Sequence, residues 1–192
     1  MKTTTRSLLI ALSLLCTTFA VAQHQTLTLD PDASSVKFLL ASNHDPTNGT
    51  FHVSKGVVAF DPKSPTMSGL IVVDATSGNS DNRSRDKKMT AQVLEAAKFA
   101  DVTFAPQTYQ GTLSPSGAST LLVTGIFTLH GTPHPLTLPM QIQIDGSKCT
   151  AKAHFSVPFV DWGLKDPSWF VLKVAKEVDI NLTLTGSISP AS

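Results

Sequence analysis

The chain has 192 residues, 15 of them basic and 14 acidic, and 41% are hydrophobic. So even a charge balance sets up no broad field toward nucleic acid or an anionic membrane, which excludes binders that work by electrostatic steering. The length is enough for one core of ordinary size.

The N-terminus comes first. Met1–Arg6 carries Lys2 and Arg6, Ser7–Phe19 is apolar, and Ala20-Val21-Ala22 follows. A basic head, a short apolar middle and an A-x-A end describe a cleavable secretory signal over residues 1–22, cut after Ala22. A membrane anchor needs about 18 or more apolar residues, which this stretch lacks. The expected mature protein is then a single domain over residues 23–192, periplasmic or secreted. Loss of Lys2 and Arg6 leaves 13 basic against 14 acidic residues, a net charge of −1. Cys149 is left without an internal partner, so an exported domain here depends on its own core.

From Val36 onward apolar and polar residues alternate. Short runs predict strands at Val36–Ala41, Thr50–Phe60, Gly69–Ala75 and Val102–Phe104. Longer ones follow at Leu121–Leu129, Leu136–Ile144, Ala151–Phe159 and Val178–Ile188. Period two puts one face in the core and one in water, as in an antiparallel sheet. Turn signals separate the runs: Asp61-Pro62, Ser116-Gly117, His130-Gly131-Thr132-Pro133 and Asp145-Gly146. Between the third and fourth strands the period changes. Met89, Val93, Leu94 and Ala97 fall at helical spacing, predicting one helix over Asp86–Ala97 with Ser84 or Asp86 as its cap.

About eight strands with one inserted helix fit either a closed barrel or a two-sheet sandwich. Two details favour the barrel. Gly56 lies in the middle of a long run, where a bend or bulge would let Phe51 and Phe60 face the same side despite their parity. Phe38, Phe51, Phe60, Phe104, Phe127 and Phe155 are interior candidates spread over most strands, with Ile142 and Leu182 on the same alternation. An eight-stranded barrel is wide enough for one small ligand.

Four stretches together resemble the YceI family of bacterial periplasmic polyisoprenoid-binding, lipocalin-like proteins. They are Gly49–Asp61, Arg85–Met89 continuing through Phe99 to Phe104, Val123–Pro135, and Val178–Gly186. In this order, with the spacing between them, they span nearly all of residues 27–188. The resemblance implies an eight-stranded antiparallel barrel with a helix beside it and a cavity for a long isoprenoid, quinone-type or fatty acyl chain. It carries no catalytic residues, no cofactor and no metal, and a homodimer is left open. The chain departs from the family at Leu94–Ala100, where many members have a Phe-Asp stretch ending in Tyr-Pro, and in the loop Asp161–Trp169.

Under that resemblance Phe38, Phe51, Phe60, Phe104, Phe127, Phe155, Ile142 and Leu182 are expected to line the cavity. Arg83, Arg85 and Lys88 form a basic cluster at a helix start, where cations oppose the helix dipole, and an anionic head group is one reason for them. Trp162 and Trp169 lie in a Gly- and Pro-containing loop, as a lid or a partner contact, with a plain satellite core as the alternative. His130 and His134 flank a turn with no third ligand at a metal-site spacing, and no G-x-S-x-G elbow is present. At about 0.8 kcal/mol per buried CH₂, roughly 20 to 40 carbons give a gross term of about 16–32 kcal/mol. That meets the practical ceiling of about 18–21 kcal/mol, so selection and release are harder than affinity. The expected function is carriage, storage or sequestration of such a chain outside the cytoplasm. The rivals are a stress-related module acting through its surface and a hydrolase or isomerase using the same cavity.

Overall fold

The computed structural model describes residues 24–190, so the signal expected at 1–22 lies outside the described residues. Nine strand segments are present: β1 Gln25–Leu29, β2 Ser35–Leu40, β3 Thr47–Asp61, β4 Ser64–Asn79, β5 Asp101–Gln110, β6 Gly117–Leu129, β7 Thr132–Asp145, β8 Lys148–Val157 and β9 Val178–Pro190. Each pairs antiparallel with its neighbours, and β9 returns through β1 and β2 to β3, which closes the sheet on itself. The sandwich alternative is thereby excluded.

Nine segments make eight staves because β1 and β2 share one position. Both run antiparallel to β3 and β9, β1 beside Val57–Phe60 and β2 beside Thr47–Phe51. The break between them is a side-chain-supported turn. The Asp30 carboxylate accepts the Asp32 and Ala33 N–H groups at 3.1 and 3.3 Å, and Ser34 Oγ donates to the Asp30 carbonyl at 2.7 Å. Period two did not single out β1, which is only five residues long.

The expected bend in β3 is a bulge at Ser54. Val53 pairs with Val73 but Lys55 with Val72, so one extra residue enters the strand. Phe51 and Val53 turn inward before it; Gly56, Val58 and Phe60 do so after it. Parity is shifted as the two phenylalanines required, two residues ahead of Gly56. Glycine at 56 has a separate reason, since a Cβ there would run into the Leu29 side chain.

The helix differs from its expected span. It covers Arg83–Lys88 (α1), continues as one wider π-helical turn over Met89–Val93, and has ended by Leu94. Its cap is Asn82, whose side chain accepts the Arg85 N–H at 3.1 Å, and neither Ser84 nor Asp86 serves. Asp86 turns back to the preceding loop, accepting the buried Ser80 N–H at 2.9 Å. At the other end the Leu94 N–H donates to the Met89 carbonyl five residues back, and Glu95 takes a positive φ of 47° that stops the helix.

Inward side chains form two clusters. The larger fills the middle and lower barrel with residues such as Leu29, Val123, Leu138 and Leu184. The smaller, around Leu129, Val157, Phe159 and Leu164, lies toward the end where the helix and the β8–β9 loop sit. Tyr109 is buried in the larger cluster and its hydroxyl donates to the Asp61 carbonyl at 3.0 Å. Burial pushes its phenol above the usual range. Tyr109→Phe keeps the ring and strands that carbonyl, an expected loss of about 1–2 kcal/mol in a urea unfolding titration.

Cys149 is 4% exposed and has no disulfide partner among the described residues, and burial raises its thiol above the usual range. With little thiolate and no access, it is expected to resist a thiol reagent in the folded protein and to react on denaturation. A thiol-labelling time course on residues 23–192, in which Cys149 is the one cysteine, checks this.

Candidate functional site

The inward faces near the helix end do not meet. They leave a cavity of about 550 Å³, within the range of ligand pockets, roughly 300–1,000 Å³. Its wall is almost entirely apolar. Val36, Phe38 and Leu40 of β2 lie on one side, and Phe155, Val157, Ile180, Leu182 and Leu184 of β8 and β9 on the next. Ile71, Val73, Phe104, Phe127 and Leu129 complete the circuit, with Leu138 and Met140 among the residues deepest in the barrel.

The helical segment forms part of the mouth. Met89, Val93 and Leu94 all reach the cavity, so the wider turn still presents the apolar stripe read from their spacing. Ahead of them Asn82, Ser84, Arg85 and Lys88 supply the polar edge. The β8–β9 loop adds Leu164, Pro167, Trp169, Leu172 and Val174.

That loop is held by local bonds. The Ser168 N–H donates to the Asp166 carboxylate at 2.8 Å, and this bond with the Ser168 side chain holds the Asp166 carboxyl below the usual range. Asn43 ties the loop to the β2–β3 connection, donating to the Val171 carbonyl at 3.0 Å and accepting the Lys173 N–H at 2.9 Å. The tip projects into solvent, with Trp169 64%, Phe170 92% and Val171 55% exposed.

Of the positions expected to line the cavity, Phe38, Phe51, Phe104, Phe127, Phe155 and Leu182 do so. Phe38 and Phe51 pack with ring centroids 5.4 Å apart, and Phe127 meets Phe155 edge-on at 6.4 Å. Phe60 and Ile142 do not line it. Both follow the inward alternation, but Phe60 pairs with Gln25 and Met67 at the opposite end of the barrel, and Ile142 packs on the larger core cluster. Alternation separates inside from outside and carries no information on depth.

At the mouth Arg85, Lys88 and Trp169 border the cavity, whereas exposed Arg83 does not. Trp162 is no lid. It lies flat on His134, ring centroids 3.9 Å apart and planes 6° apart, with Phe127 at 5.8 Å. His130 occupies the β6–β7 turn with φ 52°, its Nε2 3.3 Å from a Glu95 carboxylate oxygen. Val36 and Leu40, which are not among the expected lining residues, share the parity of Phe38, and that parity is the signal that finds them. Leu172 and Val174 carry no such signal, because they lie outside regular structure.

Among the described residues no helix is long and apolar enough to cross a membrane. A UPF0312 protein of Pseudomonas fluorescens is 29% identical over 147 residues, covering 72% of each chain. Protein YceI of Salmonella arizonae is 27% identical over 146 residues, 75% of this chain and 66% of that one. Two solved structures share the fold. Burkholderia cenocepacia BcnA superposes with a TM-score of 0.66 at 21% identity, over 82% of this chain and 99% of that one. A polyisoprenoid binding domain from Saccharophagus degradans, implicated in plant cell wall breakdown, gives 0.68 at 16% identity over 86% and 98%. The YceI-like domain family matches residues 27–186, which takes in every strand but the two ends of the barrel seam, and the chain belongs to that family.

Proposed function

We propose that this protein is an exported binding protein that holds a long isoprenoid or similar lipid-like chain inside its barrel and carries or stores it outside the cytoplasm. The observation that carries the reading is the cavity itself: about 550 Å³ of apolar-walled space left open at the helix end of the barrel. Leu, Ile, Val and Phe side chains turned toward empty space are favourable only when an apolar guest covers them. The binding domain from Saccharophagus degradans, with the same fold, supports an isoprenoid as guest. Quinone-type and fatty acyl chains have the same apolar tail and remain within the class. Export to the periplasm or beyond follows from the basic and apolar pattern of residues 1–22.

Binding, not catalysis, is favoured by what the wall contains. Among the described residues it has no carboxylate, imidazole or thiol, and the hydroxyls and amine it does have, on Thr47, Ser84, Thr103 and Lys88, make no hydrogen bond to a general base that would activate them. The test is a titration of delipidated protein with polyprenyl alcohols of graded length. Affinity should rise with length until the cavity is full and then level off, and no saturable binding at any length would refute the reading.

A further inference from the structure

The β8–β9 loop carries an apolar tip that the cavity does not use. Phe170 is 92% exposed, with exposed Trp169 and Val171 on either side, and neither Phe170 nor Val171 is part of the wall. Bonds on both arms hold this tip in shape. The Trp169 N–H donates to the Leu172 carbonyl at 2.9 Å, which turns the chain back on itself with Phe170 and Val171 at the turn. Behind it the Val174 N–H donates to Ser168 Oγ at 3.1 Å, and the Asn43 N–H to the Lys173 carbonyl at 2.9 Å. Three adjacent large apolar side chains are thereby held in water, which is unfavourable until a partner covers them.

The surroundings of the tip are cationic. Lys165, Lys173 and Lys176 are exposed on the same loop, and Arg83 and Lys87 are exposed on α1 at the same end of the barrel, outside the wall. Among the described residues none of these five lies within ion-pair distance of an acid. The carboxylates of Asp86 and Asp166 are taken by Ser80 and by the Ser168 N–H. Asp161 and Glu177, the other acids of the loop, stand near its two ends, away from the tip in sequence.

We infer that the tip is a membrane-docking device: Trp169, Phe170 and Val171 seat in the interface of an anionic phospholipid bilayer, and the surrounding cations face its head groups. This rests on the proposed binding of a long apolar chain and adds where that chain is collected and delivered. A lipid surface suits the shape better than a protein does. Three residues on a narrow turn offer far less than the roughly 800 Å² per partner of a stable protein interface. Lipid head groups close around an aromatic wedge and attract the cations beside it. Trp169 belongs to both the tip and the cavity wall, so docking brings the mouth against the bilayer. A long apolar chain then passes between membrane and barrel without crossing water.

The test floats the protein, beginning at Gln23, with vesicles of phosphatidylcholine and with vesicles of equal parts phosphatidylcholine and phosphatidylglycerol. That start keeps the apolar stretch Ser7–Phe19 from entering the bilayer itself. Association with the mixed vesicles should be about tenfold stronger than with the neutral ones, and salt should weaken it. Tryptophan emission should shift to the blue as Trp169 leaves water. The Phe170→Ser, Val171→Ser double variant should associate about tenfold more weakly. Its affinity for farnesol in a vesicle-free titration should match the wild type, because neither residue lines the cavity. The Arg83→Gln, Lys87→Gln variant should lose most of the preference for mixed vesicles. Docking is overturned by no association with either vesicle, by equal association with both, or by association that the tip variant leaves unmoved. A tip variant that loses farnesol affinity without vesicles also overturns it, and makes the tip a cover for the cavity. Wild-type protein that floats with mixed vesicles but takes up no farnesol refutes chain binding and leaves docking standing. The lipid and salt comparisons need no variant, so the outcome does not depend on how well the variants fold.

Discussion

Ile180→Trp should fold and lose about a hundredfold in affinity for long chains. Ile180 pairs with Phe38 on β2 and with Phe155 on β8, and all three side chains line the cavity. An indole at that position extends across the space between the two rings. It displaces roughly four to six methylenes of a guest, a gross loss of about 3–5 kcal/mol at about 0.8 kcal/mol each. The weaker immobilisation of a shorter buried chain returns part of that, leaving roughly 3 kcal/mol, the hundredfold expected. Because the added ring enters space and not packed side chains, the melting temperature should fall little. The sharpest readout is chain length: affinity should level off at a shorter chain in the variant than in the wild type. Unchanged affinity and an unchanged length limit would mean that guests do not pass Ile180.

Gly125→Val should cost about 2–4 kcal/mol of stability, an expected drop of roughly 5–15 °C in Tm. Gly125 is an inward position of β6, between Val123 and Phe127. A Cβ there would strike the Ala105 carbonyl oxygen and the Pro106 Cα of β5, and it would approach the Phe104 ring. The closeness has a cause in the register. Pro106 pairs with Gly125 but Thr108 with Thr124, so β5 carries an extra residue and its backbone presses toward β6. Those are main-chain atoms held in the ladder and cannot rotate aside. Scanning calorimetry showing a melting temperature within about 1 °C of wild type would contradict this explanation.

Much of this architecture was legible in the residues. The long alternations of β6, β7 and β9 mark strands because each has one wet and one dry face. Alternation predicts only the middle of β4, Gly69–Ala75. Its first half is largely exposed on both faces, carries Pro65 and bends at Gly69 with φ 126°, so no period survives there. β5 was cut short for a related reason, since Pro106 reads as a strand breaker until the bulge beside it supplies a place for a residue without an N–H. The helix was misplaced because Met89, Val93 and Leu94 keep a helical stripe across a turn that is wider than α, and because Asn82 caps it from outside the periodic run.

The site was less legible than the fold. Parity picks out the inward residues, and the cavity is the subset of them at one end of the staves. That is why Phe60 and Phe51, equivalent by pattern once the bulge is allowed for, differ in the structure. The mouth depends on the irregular β8–β9 loop, whose path is set by side-chain bonds of Asn43, Asp166 and Ser168 and by scattered backbone bonds that no periodicity announces. Trp162 and Trp169 look alike in sequence, but one stacks on His134 and the other borders the cavity.

The most direct test is native mass spectrometry of the protein purified under mild conditions from the cells that make it, followed by organic extraction and identification of what is released. The account predicts a bound species carrying a long apolar chain, present at up to one copy per chain and, in the Ile180→Trp variant, depleted or replaced by a shorter chain. A barrel that is repeatedly empty, and that takes up neither polyprenyl alcohols nor their acidic counterparts when these are supplied, would contradict it.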